Sequence, residues 1–218
     1  MKPTTTILFD LDGTVLDTYD AIAVSMRHAS EAVLGTLLPD SVLLAQVGQP
    51  LVTQIEAFSD DPKVREDFLS YYRKENEAGL TEKGKPFEGM KELIASLKQE
   101  GYLVGVVTSK RHQLAEDSLR YYGIYENLDC LVALEESVNH KPHPEPLIVA
   151  TQKLGSSLEQ CVYVGDSPFD MQAAHAAGIP GIAVTWGKFF DREILEPQRP
   201  LAIVDTPAEL KAVLVEIN

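Results

Sequence analysis

The chain of 218 residues is 44% hydrophobic and 24% charged, and its formal net charge is −14 at pH 7. These proportions are typical of globular proteins and exclude a disordered or fibrous class. The acidic balance disfavours nucleic acid and anionic membranes as partners, because their phosphates would be repelled. No apolar run is as long as a signal peptide core or a membrane span, and a cytoplasmic location is therefore expected.

Six short apolar runs, rich in β-branched residues, predict buried strands. They are TTILFD, YLVGVVT, LDCLVA, QCVYVG, PGIAVT and PLAIV, which begin at Thr5, Tyr102, Leu128, Gln160, Pro180 and Pro200. Amphipathic stretches alternate with the later runs and begin near Glu88, Arg111, Pro144, Pro168 and Pro207. This alternation predicts an α/β fold with a doubly wound parallel sheet and helices on both faces.

The segment between the first and second predicted strands, residues 15–86, has a different character. It shows helical spacing and no convincing strand. Breaks at GTLLPD, VGQP and SDDP predict about four helices, the last of which carries FLSYYRKENEAGL. We therefore expect residues 15–86 to form a small helical domain inserted into an α/β core made of residues 1–14 and 87–218.

The two cysteines are Cys130 and Cys161. Each lies in an apolar strand-like run, without a partner at the spacing of a metal or redox motif. Both are therefore predicted to be buried, inert thiols.

Polar residues collect where the predicted strands end, which is the edge at which open parallel sheets bind ligands. They lie after the first, second and fourth strands, and in the loop after the third. The set comprises Asp10, Asp12, Gly13, Thr108, Ser109, Lys141, Asp166 and Asp170. This edge is the predicted functional site.

The acidic members of the set predict a metal site. Asp10 and Asp12 are two residues apart, and placing two carboxylates together is costly unless a cation relieves their repulsion. Asp166 contributes a further carboxylate, and Asp170 adds negative charge. Mg²⁺ suits a site with few protein ligands, several waters and a phosphate.

The remaining members predict that the site holds a phosphate. Lys141 offers a positive charge, and Thr108 and Ser109 offer hydroxyl and backbone N–H groups at the start of a helix. A phosphoryl group in transfer spreads negative charge over its oxygens, which such donors and a cation stabilise. The predicted partner is thus a small phosphorylated metabolite.

Four motifs in this order, DLDGT, the VVTS strand end, the lysine of KPHP, and GDSPFD, resemble those of the haloacid dehalogenase superfamily of phosphatases. The resemblance extends over the whole chain and implies that the helical insert is a cap of the C1 type. VGQPL, YYRKEN, GKPFEGM and NHKPHPEP are most similar to the branch that holds phosphoglycolate phosphatases and PpaX-type pyrophosphatases.

The resemblance assigns roles to the four aspartates. Asp10 would be the nucleophile and a metal ligand. Asp12 would protonate the leaving group, then activate water, and would also bind the metal through its carbonyl. Asp166 would bind the metal and Asp170 would brace the site. Because dehalogenases and phosphonate hydrolases lack an acid at the position of Asp12, the resemblance favours phosphate hydrolysis.

The other motif residues would bind the phosphoryl group. By resemblance, Thr108 and the Ser109 amide hold it with Gly13, and Lys141 neutralises its charge. The resemblance thus implies a hydrolase that forms an aspartyl-phosphate intermediate and requires Mg²⁺. A monomer or homodimer is expected, although these residues do not distinguish the two.

Simpler structural interpretations remain open for several residues. Residues 12–14 could form an ordinary strand-exit turn, and Thr108 and Ser109 could cap the following helix. Lys141 could be a solvated loop charge, and Asp170 could be placed by the helix dipole.

Alternatives also remain for the helical insert and for the class of protein. The cluster from Tyr71 to Lys74 could contact substrate or could simply pack one face of its helix. A β-phosphoglucomutase-like phosphomutase, a phospho-accepting receiver module and a binding protein built on an inactive phosphatase are the competing functions.

Overall fold

The fold is organised around a parallel sheet in a computed structural model that describes residues 5–77 and 84–217. The strands in chain order are β1 (Thr6–Phe9), β2 (Leu16–Asp17), β3 (Lys85–Pro86), β4 (Leu103–Val107), β5 (Cys130–Val132), β6 (Cys161–Gly165), β7 (Gly181–Val184) and β8 (Ala202–Val204). Six of them form one sheet in the order β5-β4-β1-β6-β7-β8. All neighbours in this sheet are parallel, so the six predicted strands and their class are confirmed.

The helices separate and follow these strands. They are α1 (Tyr19–Ala29), α2 (Asp40–Leu43), α3 (Leu51–Glu56), α4 (Pro62–Glu77), α5 (Met90–Gln99), α6 (His112–Tyr121), α7 (Glu145–Lys153), α8 (Pro168–Ala177), α9 (Arg192–Leu195) and α10 (Pro207–Glu216). A π-helical turn, Ser30–Leu34, continues α1. The five helices expected after the first strand of the core are present as α5, α6, α7, α8 and α10.

Both faces of the sheet are covered, which explains why its strands read as continuous apolar runs. All four residues of β1 are buried. Ile7 and Phe9 belong to a cluster with residues of α5, α6 and α10. Leu8 and Tyr163 belong to a second cluster with residues of α7 and α8. The core is therefore doubly wound, as predicted.

The helices α1 to α4 share a hydrophobic cluster of their own. Met26, Leu43, Ile55 and Phe68 are buried in it, one from each helix in turn. The four predicted helices are thus present, although the predicted end of the last one, residues 78–80, lies outside the described residues. We call α1 to α4, residues 19–77, the helical segment.

The expectation that residues 15–86 contain no strand is wrong. β2 and β3 pair antiparallel, with Leu16 opposite Pro86 and Asp17 opposite Lys85. Two-residue strands are too short to show a period of two, and they form because the two connections to the helical segment run side by side. Val15 and Leu16 pack in the core cluster. The division of the chain at residues 15 and 86 stays a prediction.

The two cysteines are free, and Cys161 is buried whereas Cys130 is half-buried. Burial raises the pKa of the Cys130 thiol to about 12, which is consistent with the predicted inertness. Across residues 5–77 and 84–217, no helix combines the length and the apolar character that crossing a membrane requires.

Candidate active site

Neighbouring strands bring the predicted residues to one edge of the sheet. β1 lies between β4 and β6, so Asp10, Thr108 and Asp166 follow three adjacent strands. The Asp10 amide donates to the Val164 carbonyl at 2.8 Å, which continues the pairing of β1 with β6 up to the predicted nucleophile. The carboxyl ends of these strands therefore meet as predicted.

Lys141 lies inside the protein, and its side chain is only 1% exposed. Its Nζ is 2.7 Å from Asp10 Oδ1 and 2.7 Å from Asp170 Oδ1. Burial lowers the pKa of this ammonium, but attraction to the two carboxylates outweighs burial and raises the pKa above its ordinary value. Lys141 is therefore a fixed positive charge, and the interpretation as a solvated loop residue is wrong.

The loop that carries Lys141 is held by the first residue of α7. The Glu145 carboxylate accepts hydrogen bonds from the amides of Val138 and Asn139, at 2.7 and 3.2 Å. These bonds close the loop on the helix that follows it. The lysine is thereby directed toward the sheet edge, against its usual preference for solvent.

Asp170 is fully buried and engaged on both oxygens. Oδ2 accepts from the amide and the hydroxyl of Ser167, at 3.0 and 2.6 Å, in a capping box at the start of α8. Oδ1 binds Lys141. The Asp170 side chain therefore both caps α8, through Oδ2, and holds Lys141 in the site, through Oδ1.

Tyr163, on β6, is a member of the site that the sequence did not reveal. Its hydroxyl lies 3.1 Å from Lys141 Nζ and 3.0 Å from Asp170 Oδ1. The only signal was a hydroxyl-bearing side chain within the otherwise apolar strand QCVYVG. Tyr163 thus helps to hold the Lys141 ammonium in place from within β6.

Asp166 has one carboxylate oxygen that is hydrogen bonded and one that is buried without a partner among the described residues. Thr14 Oγ1 donates to its Oδ1 at 3.4 Å, but within residues 5–77 and 84–217 its buried Oδ2 has no hydrogen-bond partner. Such an orphaned oxygen is costly unless a further group binds it. It therefore fits a metal ligand.

The charges around Asp166 support the same conclusion. Carboxylate oxygens of Asp10, Asp166 and Asp170 lie within 4.8 Å of one another. Burial raises the pKa of Asp10 to about 7, with Lys141 opposing and Asp170 reinforcing the shift. Burial, followed by repulsion from Asp10, raises the pKa of Asp166 well above its ordinary range. A divalent cation would offset both the burial of these carboxylates and their mutual repulsion. Since both oxygens of Asp170 are hydrogen bonded to Lys141 and Ser167, Asp10 and Asp166 are the carboxylates available to the cation.

Gly13 is required by close packing. Its φ is +85°, and a Cβ at this position would lie 2.1 Å from Asp166 Oδ2. Its amide donates to the Leu16 carbonyl at 2.8 Å. The predicted role of Gly13 in phosphate binding therefore gains no support, because its donor is already engaged in the turn after Asp12.

Asp12 stands apart from the three clustered carboxylates. Its Oδ1 is 2.8 Å from Nζ of Lys110, a residue that we did not predict to belong to the site. The available signal was a lysine directly after Thr108 and Ser109 at a strand end. The carboxylate of Asp12 is thus paired with a cation of its own.

Thr108 and Ser109 do not cap the following helix, because α6 begins at His112 and its N-cap position is Arg111. Thr108 Oγ1 accepts from the Lys110 amide at 3.2 Å. Ser109 Oγ donates to the Gly48 carbonyl at 2.7 Å, which links the sheet edge to the helical segment. The capping interpretation is therefore wrong.

A cavity of about 120 Å³ lies between the sheet edge and the helical segment. The core contributes Asp10, Asp12, Thr108, Ser109, Lys110 and Arg111 to its lining, and the helical segment contributes residues 47–52 together with Tyr72, Arg73 and Asn76. From the cluster expected to contact substrate or pack, Tyr72 and Arg73 are thus at the cavity. The lining thus combines carboxylates and cations on the core side with the cation Arg73 on the side of the helical segment. Such a set of charges in one small cavity can hold and orient an anionic substrate.

A doubly wound sheet with a buried lysine and acidic residues at its carboxyl edge defines a class of α/β proteins that handle phosphate. Residues 7–184 match the family model of haloacid dehalogenase-like hydrolases, and the chain belongs to this family. A protein of Caldanaerobacter subterraneus, provisionally named pyrophosphatase PpaX, is 38% identical over 196 residues, which cover 90% of this chain and 88% of the relative.

Further comparisons agree with this assignment. Pyrophosphatase PpaX of Bacillus cereus strain Q1 is 33% identical over 217 residues, covering 98% of this chain and 97% of the relative. The solved structure of a haloacid dehalogenase-like family hydrolase from Streptococcus pneumoniae has a TM-score of 0.85 and 27% identity, and the match covers 98% of this chain and 99% of that one. The protein is therefore a phosphatase of the haloacid dehalogenase superfamily, and the interpretation as a receiver module is wrong.

Proposed function

We propose that the protein is a Mg²⁺-dependent pyrophosphatase that transfers a phosphoryl group to Asp10 and then to water. The observation that carries this proposal is the buried charge arrangement in which Lys141 lies 2.7 Å from Asp10 while Asp166 Oδ2 has no partner among the described residues. Asp10, Asp166 and the carbonyl of Asp12 are the groups that hold the ion. When bound, Mg²⁺ supplies positive charge to the phosphoryl oxygens and the clustered carboxylates.

The reaction divides one difficult hydrolysis into two substitutions at phosphorus. In the first, an Asp10 oxygen forms a bond to phosphorus, the bond to the leaving oxygen breaks, and Asp12 gives that oxygen a proton. In the second, Asp12 takes a proton from water, whose oxygen attacks the aspartyl phosphate and releases inorganic phosphate. Asp10 is thereby regenerated as a carboxylate.

The other residues of the sheet edge stabilise the charge that develops on the phosphoryl group. Lys141 is fixed beside Asp10 by Asp170 and Tyr163, so it requires no reorganisation during the reaction. Thr108 and the amide of Ser109 are the hydrogen-bond donors on the β4 side. A buried lysine with two carboxylates stays charged throughout the cycle.

Pyrophosphate is the substrate that the cavity and the relatives favour. Arg73, Lys110 and Arg111 line the small cavity, and several cations suit a substrate with two phosphoryl groups. The relatives named pyrophosphatase PpaX span nearly the whole chain. The cations also suit the carboxylate of 2-phosphoglycolate, which is the second candidate substrate. The oligomeric state, the absence of nucleic acid partners and the cytoplasmic location stay predictions.

The test measures phosphate release from pyrophosphate, 2-phosphoglycolate and 4-nitrophenyl phosphate, each with Mg²⁺ and with a chelator. We expect turnover that requires the metal and is fastest with pyrophosphate. Asp10→Asn should abolish turnover, whereas Asp67→Asn on the exposed surface of α4 should not change it. Acid quenching with labelled pyrophosphate should trap label on the wild type and none on Asp10→Asn. Near-normal turnover in Asp10→Asn would refute the mechanism.

A further inference from the structure

Lys110 is a cation at the cavity that has no individual role in the two substitutions at phosphorus. Its side chain is 10% exposed, and its Nζ lies 2.8 Å from Asp12 Oδ1. Its backbone is fixed on both sides, since its amide donates to Thr108 Oγ1 at 3.2 Å and its carbonyl accepts from the Leu134 amide at 2.9 Å. The anchor is rigid, whereas the four-carbon side chain can redirect its ammonium within the cavity.

The two lysines of the site differ in what holds them. The side chain of Lys141 is 1% exposed, and its ammonium bridges the carboxylates of Asp10 and Asp170. Lys110 forms an ion pair with the carboxylate of Asp12 and also lines the cavity. Lys141 is therefore placed to serve the phosphoryl group bound at Asp10, and Lys110 is placed on the side of Asp12.

We propose that Lys110 binds the anionic group of the substrate that is not transferred, and so selects substrates whose leaving group is itself an anion. The inference rests on the proposed function, because Asp12 marks the leaving-group side only if it protonates the leaving oxygen. For pyrophosphate this anion is the second phosphoryl group, and for 2-phosphoglycolate it is the carboxylate.

The ion pair with Asp12 is part of this role. An ammonium has three donors, so Lys110 can contact the leaving group while it still donates to Asp12. Such a shared contact places the carboxyl group of Asp12 beside the oxygen that it serves. Lys110 is thus a specificity-determining residue for the leaving group and a positioning residue for Asp12.

The test compares Lys110→Met and Lys110→Arg with the wild type on pyrophosphate and 4-nitrophenyl phosphate, which has no second anionic group. Lys110→Met should lower the ratio of the two kcat/KM values roughly 10- to 100-fold, as expected for a lost hydrogen bond between charged groups. Lys110→Arg should recover part of the ratio. The control is Lys63→Met on the exposed face of α4, which should leave the ratio of the two kcat/KM values unchanged.

An inhibition experiment separates this inference from the proposed substrate. Methylenediphosphonate and methylphosphonate are compared as competitive inhibitors of 4-nitrophenyl phosphate hydrolysis. The wild type should prefer the diphosphonate, and Lys110→Met should lose that preference by a similar factor, even if pyrophosphate is not turned over. An equal loss on both substrates and both inhibitors, or no loss at all, would overturn the role of Lys110. Failure of the wild type on pyrophosphate alone would refute only the proposed substrate.

Discussion

The two lysines of the site both pair with aspartates but differ in burial and in the number of their partners, and the contrast explains how one small site can be both rigid and selective. The ammonium of Lys141 is buried and is hydrogen bonded to Asp10, Asp170 and Tyr163. Around Lys110, one ion pair lies in the wall of a cavity that the helical segment closes. A buried centre fixes the chemistry that all substrates share, whereas a cavity wall can distinguish among them.

The largest effect should come from Lys141→Met. Removing the ammonium leaves Asp10 and Asp170 uncompensated, and breaking a buried ion pair costs about 3–5 kcal/mol. We expect the unfolding free energy, measured by urea denaturation in a chelator, to fall by about 3 kcal/mol and phosphatase activity to fall about 10³-fold or more. Lys110→Met should lower the unfolding free energy by only about 1 kcal/mol, because the ion pair between Lys110 and Asp12 is partly solvated. Equal losses of stability would remove the contrast.

Gly13→Ala should damage the metal side of the buried centre. The new Cβ would meet Asp166 Oδ2 in a backbone conformation with φ of +85°. We expect activity to fall on the order of 10²-fold, since the displaced carboxylate is the proposed metal ligand. Gly35→Ala is the matched control, because Gly35 has a φ of +69° and nothing within 4 Å of the added Cβ. It should cost only backbone strain of about 1 kcal/mol with activity retained, and similar activity in the two variants would contradict the packing argument.

The pH dependence of stability should reveal the cost of ionising Asp10 in the metal-free protein. Burial raises the pKa of Asp10 from 3.8 to about 7, so the folded state holds its proton more tightly than the unfolded state. Its contribution to stability is therefore complete below pH 3.8 and is lost as the pH rises through about 7. In a chelator, the unfolding free energy of the wild type should fall relative to that of Asp10→Asn as the pH rises from about 4.5 to about 7.5. This pH window is set by the unfolded and folded pKa values of Asp10. Parallel curves for the two proteins would show that Asp10 ionises normally.

Ser109→Ala should give the smallest effect, because it removes one neutral hydrogen bond between the sheet edge and the Gly48 carbonyl. We expect a loss of stability of about 1 kcal/mol and a modest rise in KM, since the bond helps to hold the helical segment over the cavity. Ser118→Ala, which removes a hydrogen bond within α6 alone, is the control for stability without a change in KM. A rise in KM in both variants would show that the link to Gly48 has no special effect on the cavity.

The sequence predicted the regular part of the core because its strands are buried on both faces. Runs such as ILF in β1 need no neighbour to identify them, and the order of strand ends placed Asp10, Thr108 and Asp166 together. Periodicity could not reveal β2 and β3, because a pair of two-residue strands exists only through the contact between its two connections.

The site was predictable where a residue type and a strand end coincide, and it was missed where a long side chain reaches across the fold. Lys110 contacts Asp12, which lies 98 residues earlier in the chain, and Tyr163 lies within a strand rather than at its end. The phosphate-binding role of Gly13 stays a prediction, whereas the limit that Asp166 sets on the space around Gly13 could not be predicted, because only tertiary packing brings Asp166 near.

The antiparallel pair of β2 and β3 has a consequence for how this architecture can change over evolutionary time. It brings the entry and the exit of the helical segment to adjacent positions, with Asp17 opposite Lys85. An insertion whose two ends are neighbours can be lengthened, shortened or exchanged while the sheet keeps its register, as insertions at closely spaced ends are generally tolerated. The paired connections thus form a fixed attachment point for the inserted segment, so new substrate preferences can arise while the α/β core stays unchanged.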